Sequence, residues 1–121
     1  MRVLVVDDEK SVAESTVLVF SRFGHVAKAA YSGEEALAMV KEFQPDLLLS
    51  DVKMAGINGI ELAIRMCSEV PNCKLLLIAG QAETSDLLDE ARRRGYEFEI
   101  LAKPVSPTEL LAKAAELTSK R

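Results

Sequence analysis

Two acidic clusters are the residues best placed for chemistry. Asp7 and Asp8 directly follow the apolar run Val3-Leu4-Val5-Val6, and Asp51 directly follows Leu47-Leu48-Leu49-Ser50. Short apolar runs of this kind read as strands, so each carboxylate stands at a strand end. Carboxylates gathered by a fold repel one another and lose hydration, so they are seldom assembled without a cation or a reaction to use them. Each acid also has a plainer role open to it. Asp7 and Asp8 can cap a following helix, and Asp51 can turn the chain toward Gly56 and Gly59.

The rest of the composition narrows the class. With 121 residues, 49% of them hydrophobic and 28% charged, the chain is expected to be one globular domain over 1–121 with its own core and no effector domain. No apolar stretch approaches the roughly 20 residues that span a bilayer, and the start is too short for a signal peptide. A soluble, cytoplasmic protein that does not engage membranes is expected. A formal charge of −4 gives no electrostatic footprint for direct nucleic-acid binding. Cys67 and Cys73 lack CxxC spacing and a His partner, so they read as small buried residues rather than a disulfide or a zinc site. His25, with no acid or second histidine nearby, reads as a solvated loop residue.

The elements that position the acids come from the hydrophobic pattern. Short apolar runs alternate five times with longer amphipathic segments, the signature of repeated βα units. After Asp8, residues Val12, Thr16, Val19, Phe20 and Phe23 fall on one helical face, and Gly24 supplies a stop. Residues 26–30 read as a weaker strand. Ser32 and Glu35 then form a capping box for a helix that runs to about Phe43, before Gln44-Pro45. Strand three covers 47–51, and a helix covers about 60–68 before Pro71. Strand four covers 75–79, a fourth helix covers 83–94 and stops at Gly95, and a fifth strand covers 98–102. Ser106-Pro107-Thr108-Glu109 opens the last helix with a cap, a first-turn proline and an acid.

The strands differ informatively. Runs 3–6, 47–49 and 75–79 are unbroken and apolar, as suits strands covered on both faces, whereas 26–30 contains Lys28 and 98–101 contains Glu99. Strands one, three and four are therefore expected at the centre and two and five at the edges. That matches an α/β, doubly wound, flavodoxin-like (βα)5 fold, with a parallel sheet of order 2-1-3-4-5 and helices on both faces. In such sheets function sits beyond the carboxyl ends of the strands, beside the switch point, here between strands one and three. Asp7, Asp8, Asp51, Ala79 and Lys103 all lie at those ends. The plainer roles of the acids do not explain why both clusters and a lysine meet at one sheet edge.

Over essentially its full length the chain resembles a bacterial two-component response-regulator receiver domain, the CheY-like family. The resemblance rests on four separated pieces: VLVVDDE at 3–9, DLLLSDVKM with its glycine loop at 46–59, the LLLIAG strand, and Lys103-Pro104. It implies a phosphoacceptor of a phosphorelay, which catalyses only its own phosphorylation and dephosphorylation. Asp51 would be the acceptor. Asp8 and, directly or through water, Asp7 would hold Mg²⁺ with Asp51 and the backbone carbonyl of Lys53. Lys103 would meet the phosphoryl group, aimed by a cis Lys103-Pro104 bond. The charges agree with this: three carboxylates carry about −3, and one Mg²⁺ with one ammonium about +3.

Departures from the family pattern fall where signalling, rather than phosphorylation, is decided. The end of strand four usually carries Ser or Thr, and here it is Ala79 followed by Gly80. The switch aromatic three residues before the lysine is Ile100, with Phe98 two residues earlier on the same strand face as a possible substitute. Ala55 stands where a proline is common. Weak or altered switching is expected, and an alternative is a degenerate receiver that binds proteins independently of phosphate. A flavodoxin-like electron carrier would want a glycine- and hydroxyl-rich loop after strand one, and a haloacid-dehalogenase-type phosphatase a D-x-D pattern there. Asp7-Asp8-Glu9 is neither.

Implied partners are a histidine kinase or histidine phosphotransfer protein meeting helix one, where Leu18 is exposed opposite the core face, and an effector domain or downstream protein. Dimerisation through the face of helix four, strand five and helix five is a further implication. Arg92-Arg93-Arg94 suit the C-terminus of helix four electrostatically.

Overall fold

The computed structural model describes residues 1–80 and 85–119. Five strands alternate with five helices: β1 (Arg2–Val6), α1 (Lys10–Arg22), β2 (Val26–Ala30), α2 (Gly33–Phe43), β3 (Leu47–Asp51), α3 (Gly59–Glu69), β4 (Lys74–Ala79), α4 (Ser85–Arg93), β5 (Glu99–Ala102) and α5 (Pro107–Ser119). The strands form one parallel sheet in the order β2-β1-β3-β4-β5, as expected. In β1, the four residues Val3, Leu4, Val5 and Val6 are all buried, and β3 is buried from Leu47 to Ser50. Edge strand β2 alternates with exposed positions and β5 is exposed at both ends, which is where Lys28 and Glu99 are tolerated.

Because side chains alternate along a strand, each central strand feeds two cores. Leu4, Val6 and Leu48 pack with Val40, Phe43, Leu62 and Met66 under α2 and α3. Val3, Val5, Leu47 and Leu49 pack with Ala13, Phe20, Leu110, Ala114 and Leu117 under α1 and α5. A third cluster joins Val52, Ile60, Leu77 and Ala79 to Ala91 of α4. Fully burying one such aliphatic or aromatic side chain stabilises the fold by about 1.5–3 kcal/mol.

Local signals act as read, with instructive differences. Ser32 Oγ accepts the Glu35 N–H at 3.0 Å, but Glu35 Oε1 reaches back to the Tyr31 N–H at 2.6 Å, one residue before the cap. Ser106 Oγ accepts the Glu109 N–H at 3.1 Å. Gly24 and Gly95 end their helices with φ of +87° and +90°, a region that costs other residues strain. The fourth helix is seen from Ser85, so its expected start at Glu83 and Thr84 lies outside the described residues, as do Lys120 and Arg121. Phe98 falls one residue before β5.

The expected core face of α1 needs correcting. Val12 is 43% and Phe23 66% exposed, whereas Ala13 and Phe20 are fully buried with Val17 packed beside them. Positions 13, 17 and 20 share a face, and the small Ala13 lets the helix lie close to the sheet. A pattern weighted toward large side chains rotates the stripe by one residue. Leu18, at 57% exposure, is on the solvent side as expected. His25 is half-buried rather than solvated: its ring packs on Phe20 at 5.9 Å and its Nδ1 lies 3.1 Å from the Met1 amine. Both cysteines are free thiols, and burial pushes the Cys73 thiol up to about 12.

Candidate functional site

Asp7 continues the β1 ladder, its N–H donating to the Ala30 carbonyl at 3.1 Å. Its Oδ1 accepts the Glu9 N–H at 2.9 Å in a turn that leads into α1; the helix N-cap is Glu9 and has no side-chain cap, so Asp7 turns the chain rather than capping the helix. Asp7 is only 8% exposed. Burial raises its pKa above the ordinary carboxylate value; the Glu9 N–H opposes this, and the charges of Asp51 and Asp8 reinforce it. Asp8 points outward, and its Oδ2 accepts the Ala55 N–H at 3.2 Å, which pins the β3–α3 loop against the end of β1.

Asp51 closes β3 with its side chain 11% exposed. The backbone after it is held by Val52 N–H to the Ile78 carbonyl at 3.0 Å and Gly59 N–H to the Val52 carbonyl at 2.8 Å. A Cβ at Gly59 would collide with the Asp51 carbonyl oxygen, so only glycine lets α3 start this close to the reacting strand. Lys53 lies exposed in the loop between these two anchored points.

Lys103 enters from the far edge of the sheet. Its N–H donates to the Ala79 carbonyl at 2.9 Å, the Lys103–Pro104 bond is cis as expected, and its Nζ lies 2.9 Å from Asp51 Oδ2. Partial burial alone would lower the lysine pKa. The hydrogen bond and charge of Asp51, helped by Asp7 and Glu9, outweigh it and hold the ammonium above its ordinary value. The Lys103 side chain is 46% exposed and that of Asp51 11%.

Asp7, Asp8 and Asp51 each offer a carboxylate oxygen within 4.8 Å of the others, the only such acid cluster among the described residues. Hard oxygen donors, two of them on a strand end and one on the neighbouring strand, suit Mg²⁺, which also keeps water and leaves room for a phosphoryl oxygen. The sequence therefore identified a group of residues that the topology does bring together. It missed Glu34. From the first turn of α2, Glu34 Oε2 accepts the Ile57 N–H at 3.2 Å, while Gly56, at φ +75°, leaves room for that carboxylate. One signal was available: two consecutive acids follow Ser32, and the cap uses only the second.

At the end of β4, Ala79 is buried and offers no hydroxyl. Ile100 and Phe98 face the cluster under α4, as their spacing predicts, and Phe98 stacks on Tyr96 at 5.9 Å and 14°. Arg92 and Arg93 pair with Asp89 and Glu90 along α4, and Arg94 lies 3.6 Å from Glu61 of α3. Next to the acids, a cleft of about 540 Å³ runs from Asp51 and Lys103 between α1 and the start of α5, lined by Val12, Thr16, Val105 and Leu110 among others. No helix among the described residues is long and apolar enough to cross a membrane.

The sequence model of the family described as response regulator receiver domain matches residues 3–115. Among curated relatives, the DNA-binding response regulator MtrA of Mycobacterium tuberculosis is 32% identical over 114 residues, covering 93% of this chain and 48% of that protein. Response regulator MprA of Mycobacterium avium is 32% identical over 117 residues, covering 97% of this chain and 50% of that protein. The chain thus spans about half the length of these relatives. Among solved structures, a CheY-like receiver domain protein from Methanospirillum hungatei superposes with a TM-score of 0.87 at 27% identity, covering 98% of this chain and 93% of that one. Vibrio cholerae CheY4 superposes at 0.81 with 28% identity, covering 96% and 97%. Nothing among these relatives supports the alternative of a phosphate-independent binding module.

Proposed function

The chain belongs to the response-regulator receiver family of two-component systems, and on that premise we propose that it accepts a phosphoryl group on Asp51 from a phosphohistidine. The observation that carries this is the 2.9 Å approach of Lys103 Nζ to Asp51 Oδ2 beside the three clustered carboxylates. An oxygen of the ionised Asp51 attacks phosphorus in line as the phosphorus–nitrogen bond breaks, and the imidazole leaves with the bonding pair. Lys103 meets the negative charge on the equatorial oxygens. Mg²⁺, held by Asp7, Asp8, Asp51 and the Lys53 carbonyl, would supply the remaining neutralisation when bound.

Partners follow from the family: a histidine kinase or phosphotransfer protein upstream, and an effector downstream. Ala79 offers no side-chain hydroxyl with which the acyl phosphate could report its presence to α4 and β5. We therefore read the domain as competent in phosphotransfer with weak switching.

The test is transfer from an autophosphorylated histidine kinase or phosphotransfer domain, with Mg²⁺ or with EDTA. The expected product is a hydroxylamine-labile acyl phosphate formed only with Mg²⁺. Transfer unaffected by EDTA, or a hydroxylamine-stable product, overturns the reading.

A further inference from the structure

The exposure of Val12 has no structural use in α1, yet it sits on the first turn of the helix, one turn from the acids, and it lines the cleft that holds Asp51 and Lys103. The lining of the cleft joins the charged Asp7, Glu9, Asp51 and Lys103 to the apolar Val12, Ile78, Val105 and the buried Leu110. Its volume of about 540 Å³ falls within the ~300–1,000 Å³ of small-ligand sites, which pair an apolar wall with a few convergent polar groups.

We propose that this cleft is a subsite for the apolar part of a small phosphodonor, so that the chain takes acyl phosphates bearing a hydrocarbon chain of several carbons in preference to acetyl phosphate. The proposal rests on Asp51 being the phosphoryl acceptor. It follows from continuity: Asp51 and Lys103, against which the phosphoryl group of a donor would lie, line the same cleft as Val12, Val105 and Leu110. In the reaction one Asp51 oxygen forms a bond to phosphorus, the bond from phosphorus to the acyl oxygen breaks, and the carboxylate leaves with the electron pair. No proton or other reactant is required.

Straight-chain carboxylic acids are nearly equal in acidity, so leaving-group reactivity is constant along the series and a change in rate reports binding. Full burial of a methylene is worth roughly a factor of four, and in a half-open cleft about twofold is expected. Labelling of the full chain with Mg²⁺ present, followed by intact mass, should give second-order rate constants about fourfold higher for butyryl than for acetyl phosphate, and more than tenfold higher for hexanoyl phosphate. In Val12→Ser and in Val105→Thr the hexanoyl-to-acetyl ratio, taken within each protein, should fall to about one-third or less. Val26→Thr, an exposed position outside the cleft, keeps the wild-type ratio.

Equal rates along the series overturn the proposal while leaving Asp51 as the acceptor. A chain-length preference that survives in both cleft variants overturns the assignment to this cleft. Failure of every donor, acetyl phosphate included, overturns the acceptor reading and the subsite with it.

Discussion

Two ends of one sheet edge differ sharply in how they are built. At β1 and β3, four polar side chains converge: Asp7 is tied to Glu9, Asp8 to Ala55 and Asp51 to Lys103. On β4 and β5, Ala79 and Ile100, with Phe98 just before β5, pack in apolar contact under α4. The first end gathers three carboxylates and an ammonium. The second offers neither a charge nor a hydroxyl at these three positions. Within one domain, chemistry and its readout occupy separate residues, and one can be intact while the other is altered.

The contrast is broken most severely by removing the cation. Lys103→Ala leaves the carboxylates in place but deletes the group that meets the phosphoryl charge. Loss of one such electrostatic contact lowers phosphorylation by acetyl phosphate about 10²-fold, or roughly 2.7 kcal/mol in the barrier. A rate within threefold of wild type by intact-mass kinetics would mean that Lys103 is only a structural neighbour.

A second change should sharpen it by making the two ends alike. Ala79→Thr places a hydroxyl at the end of β4. With beryllofluoride and Mg²⁺, amide shift changes in α4 and β5 should be several times larger in this variant than in wild type. Equal, large changes in both would show that Ile100 and Phe98 transmit the signal without a hydroxyl.

A smaller effect tests the electrostatic tension at the acidic end. The pKa of Asp7 is raised by burial, so the metal-free fold is favoured while Asp7 is protonated and loses that advantage as pH rises through the raised value. In EDTA, wild-type melting temperature should decline with pH across that window. Asp7→Asn should flatten the decline and be more stable at neutral pH by about 1 kcal/mol, or a few degrees. A profile for Asp7→Asn parallel to wild type would place the pH dependence elsewhere.

Much of the two ends was legible in the sequence, for identifiable reasons. Val3 to Val6 and Leu47 to Leu49 are unbroken apolar runs, so their central positions followed, and with them the meeting of Asp7, Asp8 and Asp51. Ser32 and Ser106 announced their helices because a cap acts over three residues. The face of α1 was misread because its closest contact is Ala13, whose small size carries the information that periodicity of large residues discards. Glu34 was missed because its partner, Ile57, is 23 residues away; the paired acids after Ser32 mark a glutamate the cap does not use but not what it holds. Lys103 is even farther from Asp51, 52 residues, yet topology placed it, since both follow strands of one parallel sheet.

The central claim is that Asp51 is the nucleophile that Lys103 and the clustered acids serve. Intact mass of the wild-type chain and of Asp51→Asn, after incubation with acetyl phosphate and Mg²⁺, tests it most directly. The account predicts a gain of one phosphoryl group on the wild type and none on Asp51→Asn. A wild type that gains nothing, or an Asp51→Asn protein that gains the same mass, would contradict it.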